Sequence, residues 1–124
     1  LGYRMGPTVA LIDYHGLGDP LLARMPALPR DPVLALLIPR LADLPWRVGQ
    51  YLRPVPSGLA LSKSTGANRI DDGDIAAVYD RLQALAAGPL FAASRWRAIW
   101  ELHTGFADDR IDRYVARAPA YAKR

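Results

Sequence analysis

The chain has 124 residues, 51% of them hydrophobic and 23% charged, which fits one globular domain with a real core and excludes a disordered tail. It has no cysteine and two histidines, His15 and His103, so a disulfide scaffold, a thiol nucleophile, a cysteine zinc site and a His-rich metal site are excluded. The net charge is +4; Lys63 and Lys123 are the lysines among 16 basic residues, so the other 14 are arginines. Arginine makes planar, bidentate contacts with carboxylates, phosphates and sugar hydroxyls, although a GC-rich genome gives the same bias.

The chain opens on Leu1 with no charged region before an apolar stretch, so no signal peptide is visible. A start on Leu1 creates the expectation of a fragment of a longer chain. The longest dense apolar run, Val33 to Ile38, falls short of the roughly twenty residues of a membrane span. Thr8 to Tyr14 is apolar and partly β-branched, a short strand or a buried helical turn. Asp19-Pro20 reads as an N-cap with proline in the first turn of a short helix, Pro20 to Met25, stopped by Pro26. Asp31-Pro32 repeats the start signal, and Val33, Leu36, Leu37, Leu41 and Leu44 give a helical stripe that Pro39 should kink.

Residues 45–58 carry prolines 45, 54 and 56 with Gly49 and Gly58, a stiff connector holding Trp46, Arg47, Gln50, Tyr51 and Arg53. A short helix from Pro56 to Lys63 should end near Gly66. Asp71 or Asp72 then caps a helix whose face is Ile75, Val78, Tyr79, Leu82, Leu85 and Ala86, stopped by Gly88-Pro89. The next helix, about Ser94 to Thr104, puts Trp96, Ile99, Trp100 and His103 on one stripe. A last helix, about Asp108 to Ala118, turns Ile111, Tyr114, Val115 and Ala118 inward before Pro119. The prediction is a mainly α fold: a single small helical domain over residues 1–118, with long Pro/Gly-rich loops and at most one short strand pair. Residues 119–124 form a loose tail.

Chemistry is sparse. Asp71, Asp72 and Asp74 do not match a calcium loop and suit a helix start, so no metal or other cofactor is expected. Asp13 and His15 share a face if extended, where a carboxylate orients an imidazole, but no G-x-S-x-G elbow supplies a nucleophile. His103 reads as a hydrogen-bonded core or boundary residue. Trp46, Trp96 and Trp100 offer faces for sugar rings. Core packing is the plainer reading for Trp96 and Trp100, at i, i+4 with Ile99, whereas Trp46 lies in a loop beside Arg47 and Gln50. The arginines are scattered and often neighbour acids, as in Asp109-Arg110 and Asp112-Arg113; with no compact basic run, nucleic acid is not an expected partner. No phosphate loop or dinucleotide fingerprint is present.

Three segments in order carry a resemblance: His15-Gly16-Leu17-Gly18-Asp19-Pro20-Leu21-Leu22-Ala23-Arg24-Met25-Pro26; Trp46-Arg47-Val48-Gly49-Gln50 leading to Pro56-Ser57-Gly58; and Gly88-Pro89-Leu90-Phe91 followed by Arg95 and Ile99. Across residues 9–106 the chain resembles the C-terminal extracytoplasmic region of actinobacterial membrane glycosyltransferases of the GT-C type, in particular the terminal β-(1→2) arabinofuranosyltransferases of the mycobacterial cell wall, which use a decaprenyl-phosphate sugar donor. That family often has histidine after Arg-x-Gly, where this chain has Gln50. A glutamine bonds a hydroxyl but accepts no proton at neutral pH.

The resemblance implies an accessory domain without a complete catalytic site, because the family's catalytic carboxylate lies on a loop near membrane spans that are missing here. It would sit on the extracytoplasmic face of the cell membrane as part of a multi-pass protein. Its partners would be the membrane-embedded remainder of its own chain and a weakly bound cell-wall glycan acceptor; separately, the basic balance favours proximity to anionic lipid headgroups, a minor term while the arginines are scattered. The implied substrate-binding residues are Asp13, His15, Asp19, Trp46, Arg47, Gln50 and Arg53. Two alternatives stand beside it: a purely structural lid on the membrane half, which predicts an exposed apolar patch, and a small free-standing hydrolase using Asp13 and His15.

Overall fold

The computed structural model describes residues 12–13, 16–28, 46–47 and 50–122, with the backbone alone at 46, 47, 50 and 51. The predicted 8–14 segment (beyond 12–13), His15, the helix after Asp31-Pro32 and the Pro39 kink lie outside the described residues. The fold is mainly helical, as predicted. Its elements are a one-turn 3-10 helix at Leu22–Arg24, strands β1 (Trp46–Arg47) and β2 (Gln50–Tyr51), helices α1 (Leu59–Thr65), α2 (Gly73–Ala87), α3 (Ala93–His103) and α4 (Phe106–Arg117), and a 3-10 turn at Pro119–Tyr121. The described residues cluster in two compact units, one over 56–114 and the other over positions between 13 and 55 together with 115 onward.

In the first unit the termini of α1 and α2 follow from their capping residues. Gly58 starts α1 at φ 85°, in the left-handed region. A Cβ there would also run into the Arg69 carbonyl, so only glycine lets the 57–58 turn and the 69–70 backbone meet. The buried Ser62 ties the same two segments together: its hydroxyl donates to the Gly58 carbonyl at 2.8 Å and accepts the Arg69 amide at 2.7 Å. Gly66 closes α1 in the left-handed conformation, two residues beyond Ser64. Thus α1 begins three residues later than the sequence predicts, because Pro56 and Ser57 are spent on the turn.

Asn68 fastens the α1–α2 link. Its Nδ2 donates to the Ala76 carbonyl and to Asp80 Oδ1, both at 2.8 Å, and its Oδ1 accepts the Ile70 amide. Asp72 then caps α2, its Oδ1 accepting the amides of Asp74 and Ile75 at 3.0 and 3.1 Å, which satisfies donors that a helix start leaves open. Ile75, Val78, Tyr79 and Leu82 are buried along the expected face, whereas Leu85 is half-buried and Ala86 exposed.

Helices α2 and α3 form an antiparallel hairpin. Glu101 pairs with Arg81, and Arg95 Nη1 donates to the Gly88 carbonyl at 2.8 Å. Ala98 lies three residues from each of these anchors and is fully buried. A methyl group at that point allows the two backbones to approach closely. In α4, Ala107 and Ile111 are buried and Ala118 follows beyond its end, while Tyr114 and Val115 are half-buried. The helix starts at Phe106, earlier than predicted. Phe106 lies under two guanidiniums, Arg110 at 4.3 Å and Arg81 at 5.3 Å from its ring centre. Asp74 joins α2 to α4 by accepting from Arg110 Nη1 at 2.8 Å and Arg113 Nη2 at 2.7 Å.

In the second unit Asp19 caps the Leu22–Arg24 turn. Its Oδ1 accepts the amides of Leu21 and Leu22, both at 3.0 Å, with Leu21, Leu22 and Met25 buried. The segment after Met25 cannot continue as helix at Pro26, and its polar backbone finds other partners. Arg53 Nε donates to the Met25 carbonyl, the Tyr121 hydroxyl donates to the Pro26 carbonyl, and the Leu28 amide donates to the Leu52 carbonyl, each at 2.9 Å. The segment expected to be loose therefore contains a turn, Pro119–Tyr121, whose tyrosine is anchored. Strands β1 and β2 pair antiparallel with Trp46 opposite Tyr51 and Arg47 opposite Gln50.

Two substitutions test this account by chemical denaturation. Asp72→Ala should lower stability by about 1 kcal/mol through loss of the cap. Ala98→Leu should cost about 1–3 kcal/mol through overpacking of the hairpin, and a cost near zero would mean that α3 does not approach α2 at that residue.

Candidate functional site

The largest departure from the sequence reading is on α3. Trp96 and Trp100 are 59% and 71% exposed, and His103 is exposed as well. The expected core stripe of Trp96, Ile99, Trp100 and His103 is instead an outer face, with only Ile99 half-buried at its edge. The reason is geometric. Arg95, Ala98 and Glu101 follow one another at three-residue spacing, and their contacts turn that side of α3 toward α2. Trp96 and Trp100, at i, i+4 on the opposite side, then point to water. Arg97 lies between them in sequence and is exposed.

The turn that leads into α3 continues this surface. Gly88 ends α2, its amide donating to the Ala84 carbonyl, and Pro89 blocks further helix. The Ala92 amide closes the turn on the Pro89 carbonyl at 3.1 Å. Leu90 and Phe91 project from it, 66% and 90% exposed. Four large apolar side chains are thus exposed within eleven residues, where scattered single ones would be ordinary.

The residues implied by the family resemblance have structural contacts where the structure describes them. Asp13 Oδ2 accepts the Gly18 amide at 2.7 Å. Asp19 is 2% exposed and caps the Leu22–Arg24 turn. Arg53, half-buried, holds the Met25 carbonyl. Trp46, Arg47 and Gln50 lie on the strand pair, which brings Arg47 and Gln50 opposite each other in register. His15 lies outside the described residues, so the Asp13–His15 pairing needed for a hydrolase is not described. The acidic cluster is divided between tasks: Asp72 caps α2 and Asp74 binds two arginines. Among the described residues no group of three or more His, Asp or Glu side chains is placed to hold a metal ion, and no helix is long and apolar enough to cross a membrane.

No protein-family model, curated protein or solved structure matches the chain.

Trp96 and Trp100 were not legible as a surface because α3 has two competing apolar stripes. One is Trp96–Ile99–Trp100, and the other is Ala98–Ile99–Leu102. Periodicity favours the larger side chains, while packing uses the smaller. What decides the face is the pairing of Glu101 with Arg81, twenty residues away across the hairpin, a contact that periodicity does not report. If Trp96 and Trp100 are surface residues, Trp96→Ala and Trp100→Ala should each change stability by less than about 0.5 kcal/mol. Core tryptophans would cost about 3–5 kcal/mol, a difference that urea denaturation resolves easily.

Proposed function

We propose that the chain is a non-catalytic accessory domain of a polytopic, decaprenyl-phosphate-dependent arabinofuranosyltransferase-like glycosyltransferase, which binds and positions the glycan acceptor on the extracytoplasmic side of the membrane. The observation that supports acceptor binding is the outer face of α3, where Trp96 and Trp100 are open to solvent with Arg97 beside them. An indole face stacks on the C–H side of a furanose ring, and a guanidinium offers a fork of donors to its hydroxyls. The resemblance that suggests the glycosyltransferase also passes through this region, at Gly88-Pro89-Leu90-Phe91, Arg95 and Ile99.

In this reading the domain contributes position and no bond chemistry. Holding an acceptor hydroxyl near a donor carbon supplies part of the entropy that a bimolecular reaction otherwise loses. A shallow, open face suits a long glycan that must slide and leave. The isolated domain should therefore bind weakly, with Kd on the order of millimolar, about 4 kcal/mol. The lid reading is the second candidate, and the same exposed apolar face favours it. In that case the face packs against the membrane-embedded remainder of the chain and has no affinity for sugar.

Titration of the 15N-labelled chain with an arabinan oligosaccharide separates them. Acceptor binding predicts shifts of the Trp96 and Trp100 indole N–H signals, or of the Trp46–Arg53 connector, that saturate at millimolar ligand. Silence in both regions would leave the lid.

A further inference from the structure

The turn between α2 and α3 combines three features that the glycan reading does not use together. Leu90 and Phe91 stand at its tip as the most exposed adjacent pair of large apolar side chains among the described residues. Trp96, an amphipathic aromatic, follows on the first turns of α3. The chain from Arg81 to Trp100 contains no acid at all. Of its three arginines, Arg81 is neutralised by Glu101. Arg95 is bonded only to a neutral carbonyl, that of Gly88, and Arg97 is exposed; neither has an acidic partner among the described residues.

We propose that this turn is a bilayer anchor: Leu90 and Phe91 enter the acyl boundary of an anionic membrane, Trp96 lies at headgroup level, and the exposed Arg97 meets the lipid phosphates, with the half-buried Arg95 adding positive charge behind it. Apolar tip, interfacial tryptophan and unneutralised arginines are the composition by which interfacial segments bind anionic lipid. The turn is also preformed. Pro89, the Ala92–Pro89 hydrogen bond and the Arg95–Gly88 hydrogen bond fix it, so insertion orders little new chain. Charge selects the occupant. A second copy seated on this face by two-fold symmetry would bring two sets of Arg95 and Arg97 together, a like-charge contact, whereas an anionic surface complements them. The inference does not rest on the acceptor reading, since the turn would seat on lipid whether or not α3 binds sugar.

Flotation of the full chain with vesicles of phosphatidylglycerol and phosphatidylcholine, compared with pure phosphatidylcholine, tests it. The chain should float with the anionic vesicles and its tryptophan emission should move to the blue. Raising salt from about 0.1 M to about 1 M shortens the screening length from roughly 10 to roughly 3 Å and should release much of it. Phe91→Ser and Leu90→Ser, both at exposed positions, should each weaken partitioning by about tenfold with the circular dichroism spectrum unchanged, and Arg97→Glu should weaken it on anionic vesicles alone. No flotation, or flotation that the Leu90 and Phe91 variants leave intact, would overturn the anchor. So would a concentration-dependent dimer in sedimentation that Phe91→Ser abolishes, since that would make a second copy the occupant. Loss of arabinan shifts with vesicle binding intact would remove the acceptor reading and leave this one standing.

Discussion

The orientation of α3 depends on one small side chain. Ala98 allows α3 to lie close against α2, and the Arg81–Glu101 pair and the Arg95–Gly88 hydrogen bond hold the hairpin on either side of it. Once that face is inward, helical geometry leaves Trp96 and Trp100 outside. At 59% and 71% exposure, each indole forgoes somewhat more than half of the roughly 150–250 Å² that a buried aromatic removes from water, on the order of 2–4 kcal/mol at about 25 cal/mol per Å². Two such residues on one short helix, next to Leu90 and Phe91, are a substantial forfeited stabilisation in a small domain whose total margin is of order 5–15 kcal/mol. A partner that covered this surface would recover part of that stabilisation, which singles out α3 and its leading turn.

Local signals were the legible part of the sequence. Asp72 before Ile75, Gly88-Pro89 after the α2 stripe and Gly66 after α1 each act through neighbours a few residues away and mark the boundary they should, whereas Asp19-Pro20 precedes not the expected helix from Pro20 to Met25 but a one-turn 3-10 helix, Leu22–Arg24. The pairings that cross the chain were not legible. Arg81 with Glu101, Asp74 with Arg110 and Arg113, and Tyr121 with the Pro26 carbonyl span from 20 to 95 residues. Arginines that alternate with acids along the sequence could pair with near or far partners equally well, and only the packed helices choose. The inverted face of α3 has the same origin: hydrophobic periodicity finds an axis of asymmetry without saying which side touches a partner.

The three segments that carry the family resemblance turn out to be rich in backbone constraints. Gly16 has φ 71°, and a Cβ there would lie 2.9 Å from the Ala23 amide nitrogen. Gly58 is bound by its own positive φ and by the Arg69 carbonyl, and Gly88 accepts Arg95 while ending α2. Asp19 holds a turn and Arg53 holds a carbonyl. Residues held in place for such backbone reasons say little about chemistry. The weight of the functional reading therefore shifts from Asp13, Asp19 and Arg53, which have structural tasks, to side chains with none. Trp96, Arg97 and Trp100 are such side chains; no hydrogen bond or ion pair inside the described chain accounts for their side chains being where they are.

The same division bears on the proposed acceptor face. Positioning depends on rigidity more than on affinity, because each freedom left to the bound group lowers the advantage of holding it. Helix α3 has little freedom of its own: its start is tied to Gly88 through Arg95, its later turns to α2 through Glu101, and α2 in turn to α4 through Asp74 with Arg110 and Arg113. Most of these ties are charged and lie between surface and core, where a single pair contributes modestly. They act together on one rigid hairpin, and Phe106 under Arg81 and Arg110 links the two ion-pair systems through a shared ring. The arginine-rich composition is thus divided by geometry. Arg81, Arg110 and Arg113 are consumed in fixing the helices, Arg95 is spent on the Gly88 carbonyl, and Arg97, exposed on α3 and without an acidic partner among the described residues, keeps a charge that an anion outside the chain can neutralise.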